Sequence, residues 1–272
     1  MGRQIVKTQA IVLRSRRMGE TSKLVTLYSD AYGKLKVVAK GARRPKSKFG
    51  AALEVMTEGH AVCYLRDDRD LHTLAECDVI RGFSVLLRDY KRMSFGSAAC
   101  ELVDRMTIEH ESNPRLYKCL AGVLVGLEEV DDEQIESLFW YFQLRIADAL
   151  GYRPELGGCV VCSAIFAECE RPHFSAVLGG VLCVNCYRDQ VDSEGMGYRT
   201  YDRIDDQFSS GGNNVAKDSL GFLARLQKIR SYKKEVIPCK PEKYQEIRAM
   251  LSMFFEYHGG LRGRLKALEH LE

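Results

Sequence analysis

Two cysteine pairs carry the sharpest chemical signal in the chain: Cys159-Val-Val-Cys162 and Cys183-Val-Asn-Cys186, with twenty residues between them. A C-x2-C pair presents two thiolates from one tight turn. Two such turns complete a tetrahedral four-sulfur site that leaves no open position for a substrate. Cys159, Cys162, Cys183 and Cys186 are therefore expected to hold one structural Zn2+. Gly157-Gly158 and Gly179-Gly180 precede the pairs and give the backbone the freedom that such knuckles need. The competing readings are a thioredoxin-like redox pair or simply buried thiols, but neither pair opens a βαβ unit. Cys169, between the pairs, reads as a bystander thiol.

The second chemically loaded stretch is KLKVVAKGARRPKSK. It brings Lys34, Lys36, Lys40, Arg43, Arg44, Lys46 and Lys48 into one window without an Asp or Glu. That density of one sign is costly unless the cations reach water or face an anion. Val37, Val38 and Ala39 suit a strand, and Gly41 and Pro45 punctuate a loop. An ordered sheet edge with a cationic loop is a phosphate-tracking surface, and a solvated charged face is the plainer alternative. Arg14, Arg16 and Arg17, in the polar connection RSRRMGETS, extend the track. Residues 1–60 hold thirteen Lys/Arg against four Asp/Glu, in a chain whose formal net charge is only +3. A polyanion partner for the N-terminal part is the expectation. Tyr28, Tyr32, Phe49 and Tyr64 are candidate base-stacking aromatics, although such residues are more often core than platform.

Catalytic chemistry finds no support. There is no H-E-x-x-H, no G-x-S-x-G and no phosphate-cradling G-x4-G-K-S/T, and the six histidines are scattered singly. A non-enzymatic binding protein is expected. A zinc-ribbon RNA-binding or transcription factor is the alternative that shares the charge pattern and the metal.

The elements that must position these residues follow from periodicity. Residues 4–13, 23–28, 34–40, 52–65 and 71–81 read as five short strands, which suggests an OB-like barrel, with an SH3-like barrel as an alternative. The period turns helical after Phe83: about 84–109 with Gly96 as a possible break, then a helix started by Asn113-Pro114, then one opened by Asp131-Asp132 and ended by Gly151. Two more are expected over 216–230 and from Pro241 to Gly259, after a linker at 192–214. The architecture is α+β. Residues 1–82 form an OB-fold nucleic-acid-binding domain, and 83–272 an α-helical domain with a zinc-finger insertion at about 156–190. No window approaches a membrane span and no signal-peptide core is present, so a cytoplasmic chain with reduced thiols is expected.

GETSKLVTLYS at Gly19–Ser29, YGKLKVVAKGARRPKSKFG at Tyr32–Gly50 and LGYRPEL before the first cysteine pair resemble the bacterial recombination-mediator family RecO. The resemblance touches the barrel, the helical region and the cysteine module, and it fades at the far C-terminus. It implies an OB-fold, a helical domain and an inserted zinc finger. It also implies single- and double-stranded DNA binding, strand annealing, and work with RecR and the tail of single-stranded-DNA-binding protein to place recombinase filaments, near the nucleoid. Carried over, Lys34, Lys36, Lys40, Arg43, Arg44, Lys46 and Lys48 would contact phosphates. Some family members lack the cysteines, so the metal is implied to be structural.

Overall fold

Alternation of inward and outward side chains, interrupted by bulges, builds the N-terminal third. The computed structural model describes residues 3–66, 70–166, 172–193, 217–232, 238–261 and 263–271. Cys169, the expected linker at 192–214 (beyond Ser193) and Arg262 lie outside them. Strands β1 (Arg3–Met18), β2 (Ser22–Ser29), β3 (Gly33–Ala39), β4 (Glu58–Arg66) and β5 (Leu71–Arg81) close into a barrel in the order β1-β2-β3-β5-β4. All neighbours are antiparallel except β3 and β5. This is the OB arrangement that the five-strand pattern suggested. Val25, Leu27, Leu35, Val37, Ala61, Cys63 and Leu74 fill the interior.

Two boundaries differ from the pattern. Arg14, Arg16 and Arg17 are not in a turn. A bulge between Val12 and Arg14 re-phases β1, which then pairs with β2 as far as Met18 opposite Ser22. The residues looked like a loop because their side chains are all exposed, on a strand that projects beyond the barrel core. At the other boundary, β4 begins only at Glu58. Gly50–Leu53 is a 3-10 turn, and with Phe49 it buries Ala52 and Leu53 in the barrel core.

The helices are α1 (Tyr90–Met106), α2 (Pro114–Glu129), α3 (Ile135–Ala149), α4 (Val184–Ser193), α5 (Lys217–Lys228) and α6 (Tyr244–Gly259). Gly96 lies inside continuous α1 rather than breaking it. Asp89 caps α1 through the Arg92 N–H at 2.9 Å, and Asn113 caps α2 through the Leu116 N–H at 3.1 Å. Gly260, in the left-handed region, ends α6. Between α3 and α4 lies a three-stranded sheet, β6 (Glu155–Cys159), β8 (Gly180–Leu182) and β7 (His173–Ser175), in that order.

The chain packs as two units. Met1–Phe142 with Gly263–Glu272 forms one, and Gln143–Arg262 the other. In the first, Arg92 fastens the end of α2 by donating to the carbonyls of Leu127 and Val130, and Phe95 of α1 meets Phe139 of α3 edge-on. In the second, Phe254 and His258 of α6 pack with Tyr152, and Phe174 of β7 joins Phe254. Among the described residues no helix is long and apolar enough to cross a membrane.

Candidate nucleic-acid interface and candidate metal centre

Strand register decides what each cation can do. Across the barrel wall Ile11 pairs with Tyr28 and Tyr28 with Lys34, so all three point outward in one row. Yet Ile11 and Tyr28 are fully buried, because α1 and the segment after it pack on this side of the barrel. Lys34 shares their burial. Its ammonium donates to the Asp104 carbonyl at 2.6 Å and lies 3.7 Å from the Asp104 carboxylate. Lys34 is therefore a structural cation rather than the phosphate ligand expected from the sequence.

The next row, Arg14–Thr26–Lys36, sits at the margin of the same contact. Lys36 pairs with Glu109, and Arg14 Nη1 lies 3.8 Å from Asp104. Both are answered by the protein's own carboxylates. The covering segment is itself pinned, since the His110 N–H donates to the Lys34 carbonyl at 3.0 Å.

The rest of the cluster meets no such partner. Arg16, Arg17, Lys40, Arg44, Lys46 and Lys48 are exposed. No carboxylate among the described residues pairs with them. Arg43 organises them: its N–H donates to the Thr21 carbonyl at 2.9 Å, and its guanidinium donates to the carbonyls of Gly19 and Glu20 at 3.1 and 2.8 Å. The basic loop is thus docked on the β1–β2 turn, at the barrel end where Arg17 faces Lys23 across the hairpin. Lys23 adds no free charge, because Glu54 holds it at 2.9 Å.

The four aromatic candidates also separate. Burial, reinforced by Glu111, pushes the Tyr28 hydroxyl up to about 12. Phe49 is a core residue with the Lys48 ammonium 5.7 Å from its ring centre, and Tyr32 packs against the barrel core. Tyr64 is half-buried on the outer face of β4.

The four cysteines converge in the second unit. β6 ends at Cys159, and the knuckle closes by the Ser163 N–H donating to the Cys159 carbonyl and the Cys159 N–H to the Ala164 carbonyl, both at 2.9 Å. Cys183 follows β8, and Cys186 lies in the first turn of α4. The Val160 N–H donates to the Val181 carbonyl at 2.8 Å and ties the two knuckles together. All four sulfurs lie within 4.8 Å of one another, with Cys162 and Cys183 at 3.7 Å. Sulfurs about 2.3 Å from a common tetrahedral centre stand about 3.8 Å apart, so the cage fits a thiolate-bound cation. Burial resists ionisation of Cys159, but hydrogen bonds donated by the N–H groups of Cys162, Cys183 and Val161 outweigh it and bring that thiol down to about 6. Hydrogen bonds to Cys183 and Cys162 push the Cys186 thiol up. One sulfur ionises readily while another holds its proton, and a divalent cation would replace that proton.

Comparison with known proteins gives a consistent result. Residues 1–83 match the family model for the recombination protein O N terminal, and residues 87–205 that for its C terminal. A DNA repair protein RecO of Thermoanaerobacter sp. is 32% identical over 193 residues, covering 70% of this chain and 75% of that protein. One from Exiguobacterium sibiricum is 30% identical over 263 residues, covering 96% and 95%. One from Salinibacter ruber is 40% identical over 152 residues, covering 56% and 58%.

Proposed function

Since the chain belongs to the RecO family of DNA repair proteins, we propose that it is a non-enzymatic, DNA-binding recombination mediator that anneals complementary strands and helps load recombinase. The observation that supports this best is the set of exposed, carboxylate-free cations Arg16, Arg17, Lys40, Arg44, Lys46 and Lys48, with Arg43 docking their loop on the barrel. Such a surface neutralises phosphates without reading bases, and two strands so neutralised repel each other less. Annealing then needs no nucleotide hydrolysis.

In this reading residues 1–82 are the nucleic-acid-binding domain and 83–272 the helical domain, with RecR and the tail of single-stranded-DNA-binding protein as partners in the cytoplasm. The four cysteines hold one structural Zn2+, with no position open for chemistry. The zinc and the cations act in different units of the chain.

The test is charge reversal at Lys40, Arg44 and Lys46. Binding to single strands of unrelated sequence should weaken uniformly, and the salt dependence should flatten by about 0.7 in log–log slope per lost contact. An unchanged slope overturns the surface. Annealing of arbitrary complementary strands by the unaltered chain separates a mediator from a sequence-specific zinc-ribbon factor, which should not accelerate it.

A further inference from the structure

The four sulfurs of the cysteine module do not share one environment. Cys159 is 3% exposed and Cys186 8%, whereas Cys183 is half-buried and Cys162 is exposed. Local structure sets the difference. Cys159 ends β6 and Cys186 sits in the first turn of α4, and both pack with Leu182. Cys162 comes at the far end of the first knuckle, between exposed Val161 and exposed Ser163, and Cys183 joins β8 to α4. Their sulfurs lie 3.7 Å apart, so the open edge of the cage is a pair with one member from each knuckle.

The other described thiols are guarded. Cys63, Cys77, Cys100 and Cys239 are buried, and burial pushes Cys63 and Cys100 up to about 12 and Cys77 to about 11. Cys119, on α2, is half-buried. Among the described residues Cys162 is the one exposed cysteine. Oxidants select a sulfur that is nucleophilic, open to solvent and close to a second thiol. A sulfur placed to ligate a cation has the electron pair for the first condition. Exposure supplies the second, and Cys183 the third.

We propose that Cys162 is an oxidation site for hydroperoxides and that its bridge to Cys183 opens the module. The Cys162 sulfur attacks one peroxide oxygen and the O–O bond breaks. The other oxygen leaves with a proton as water or alcohol, and Cys162 becomes a sulfenic acid. The Cys183 sulfur then attacks the Cys162 sulfur and expels hydroxide, which takes a proton to become water. The two sulfurs have together lost the two electrons that the peroxide gained. Bridged, neither serves as a thiolate ligand, and Cys159 and Cys186 alone cannot complete a four-coordinate site. The loss of metal rests on the reading of the four cysteines as a Zn2+ site, whereas the point of attack rests on the exposed sulfur pair.

The test adds hydrogen peroxide to the full chain, follows Zn2+ with a chromophoric chelator and maps bridges by peptide mass spectrometry. A Cys162–Cys183 bridge should form for each Zn2+ released, and dithiothreitol with added Zn2+ should reverse both. A bridge within one knuckle, a bridge to Cys119 or Cys169, or release of metal without a bridge overturns the proposal. A chain that holds no Zn2+ before oxidation overturns the zinc reading instead. In that chain a Cys162–Cys183 bridge still supports the oxidation site, and any other bridge overturns it. Cys162→Ser removes a proposed ligand and can unfold the module, so the order of attack is read on the unaltered chain. Brief alkylation with iodoacetamide should label Cys162 ahead of every other cysteine, and first labelling elsewhere overturns the site.

Discussion

His72 of β5 and His110, in the segment after α1, face each other through their Nε2 atoms at 3.4 Å, with ring planes at 76°. The Arg66 N–H donates to His72 Nδ1 at 3.3 Å, so His72 carries its proton on Nε2 and donates to His110. His72 is then neutral, and a proton added at its Nδ1 would displace the Arg66 N–H. Burial, then His110, hold the His72 imidazole below its usual 6.5, against the pull of Asp70 and Glu109.

A pH dependence follows with a definite sign. The folded chain resists the His72 proton and the unfolded chain takes it up first, so the contact stabilises fully above about pH 6.5 and loses strength as the pH falls below it. Melting temperatures should drop between about pH 7 and pH 5. His110→Asn should flatten that drop. Asn tolerates the backbone angle φ of 64° at this position and brings no titrating ring. A melt as steep in the variant as in the parent would show that other groups set the slope.

The same segment governs one cation of the barrel. Glu109→Gln releases Lys36, which should add up to one phosphate contact and steepen the single-strand salt dependence by about 0.7. Lys34→Met should do the reverse of what its place in the basic run suggests. Removing a buried donor from Asp104 costs about 1–3 kcal/mol of folding stability while leaving DNA affinity of the folded protein unaltered. Urea unfolding and salt titrations on the two variants check both outcomes.

The contrast between Lys34 and Lys40 shows what the sequence carried. Alternation along β3 was legible, and so was the basic loop after it. The row that α1 covers was not, because Asp104 lies 70 residues from Lys34 and no local pattern announces the meeting. Arg14, Arg16 and Arg17 were misplaced for a related reason: a polar strand segment and a polar loop look alike until a partner strand is known. The cysteines were plain because each knuckle is local, a turn that presents two sulfurs three positions apart.

At Gly33 the covering segment leaves no room for a side chain. Its φ is +64°, and a Cβ there would stand 2.0 Å from the Glu111 carbonyl oxygen. Gly33→Ala must strain the backbone and also push the segment off, and should cost about 3 kcal/mol or more in urea unfolding. Gly41 has a similar φ of +71°, but a Cβ would meet only the flexible Arg44 side chain at 3.6 Å. Gly41→Ala should cost only about 1–2 kcal/mol. Equal losses at the two sites would place the cost in the backbone alone.

The cysteine module should depend on its metal for structure. Its buried cluster consists of Cys159, Leu182 and Cys186, with Val160, Ala164, Cys183 and Tyr187 partly buried around it. Two of the three fully buried members are thus proposed ligands, and a single leucine cannot offset the entropy of ordering two knuckles. Chelation, or Cys186→Ser, should remove about one Zn2+ per chain and expose the amides of Val160 and Glu155, whose bonds to Val181 and Gly179 join the two halves. The barrel amides, which belong to the other unit, should keep their protection from hydrogen exchange. Retention of the metal in Cys186→Ser would refute the ligand set. Persistent protection at Val160 after chelation would show that the protein fold, rather than the ion, holds the knuckles in place.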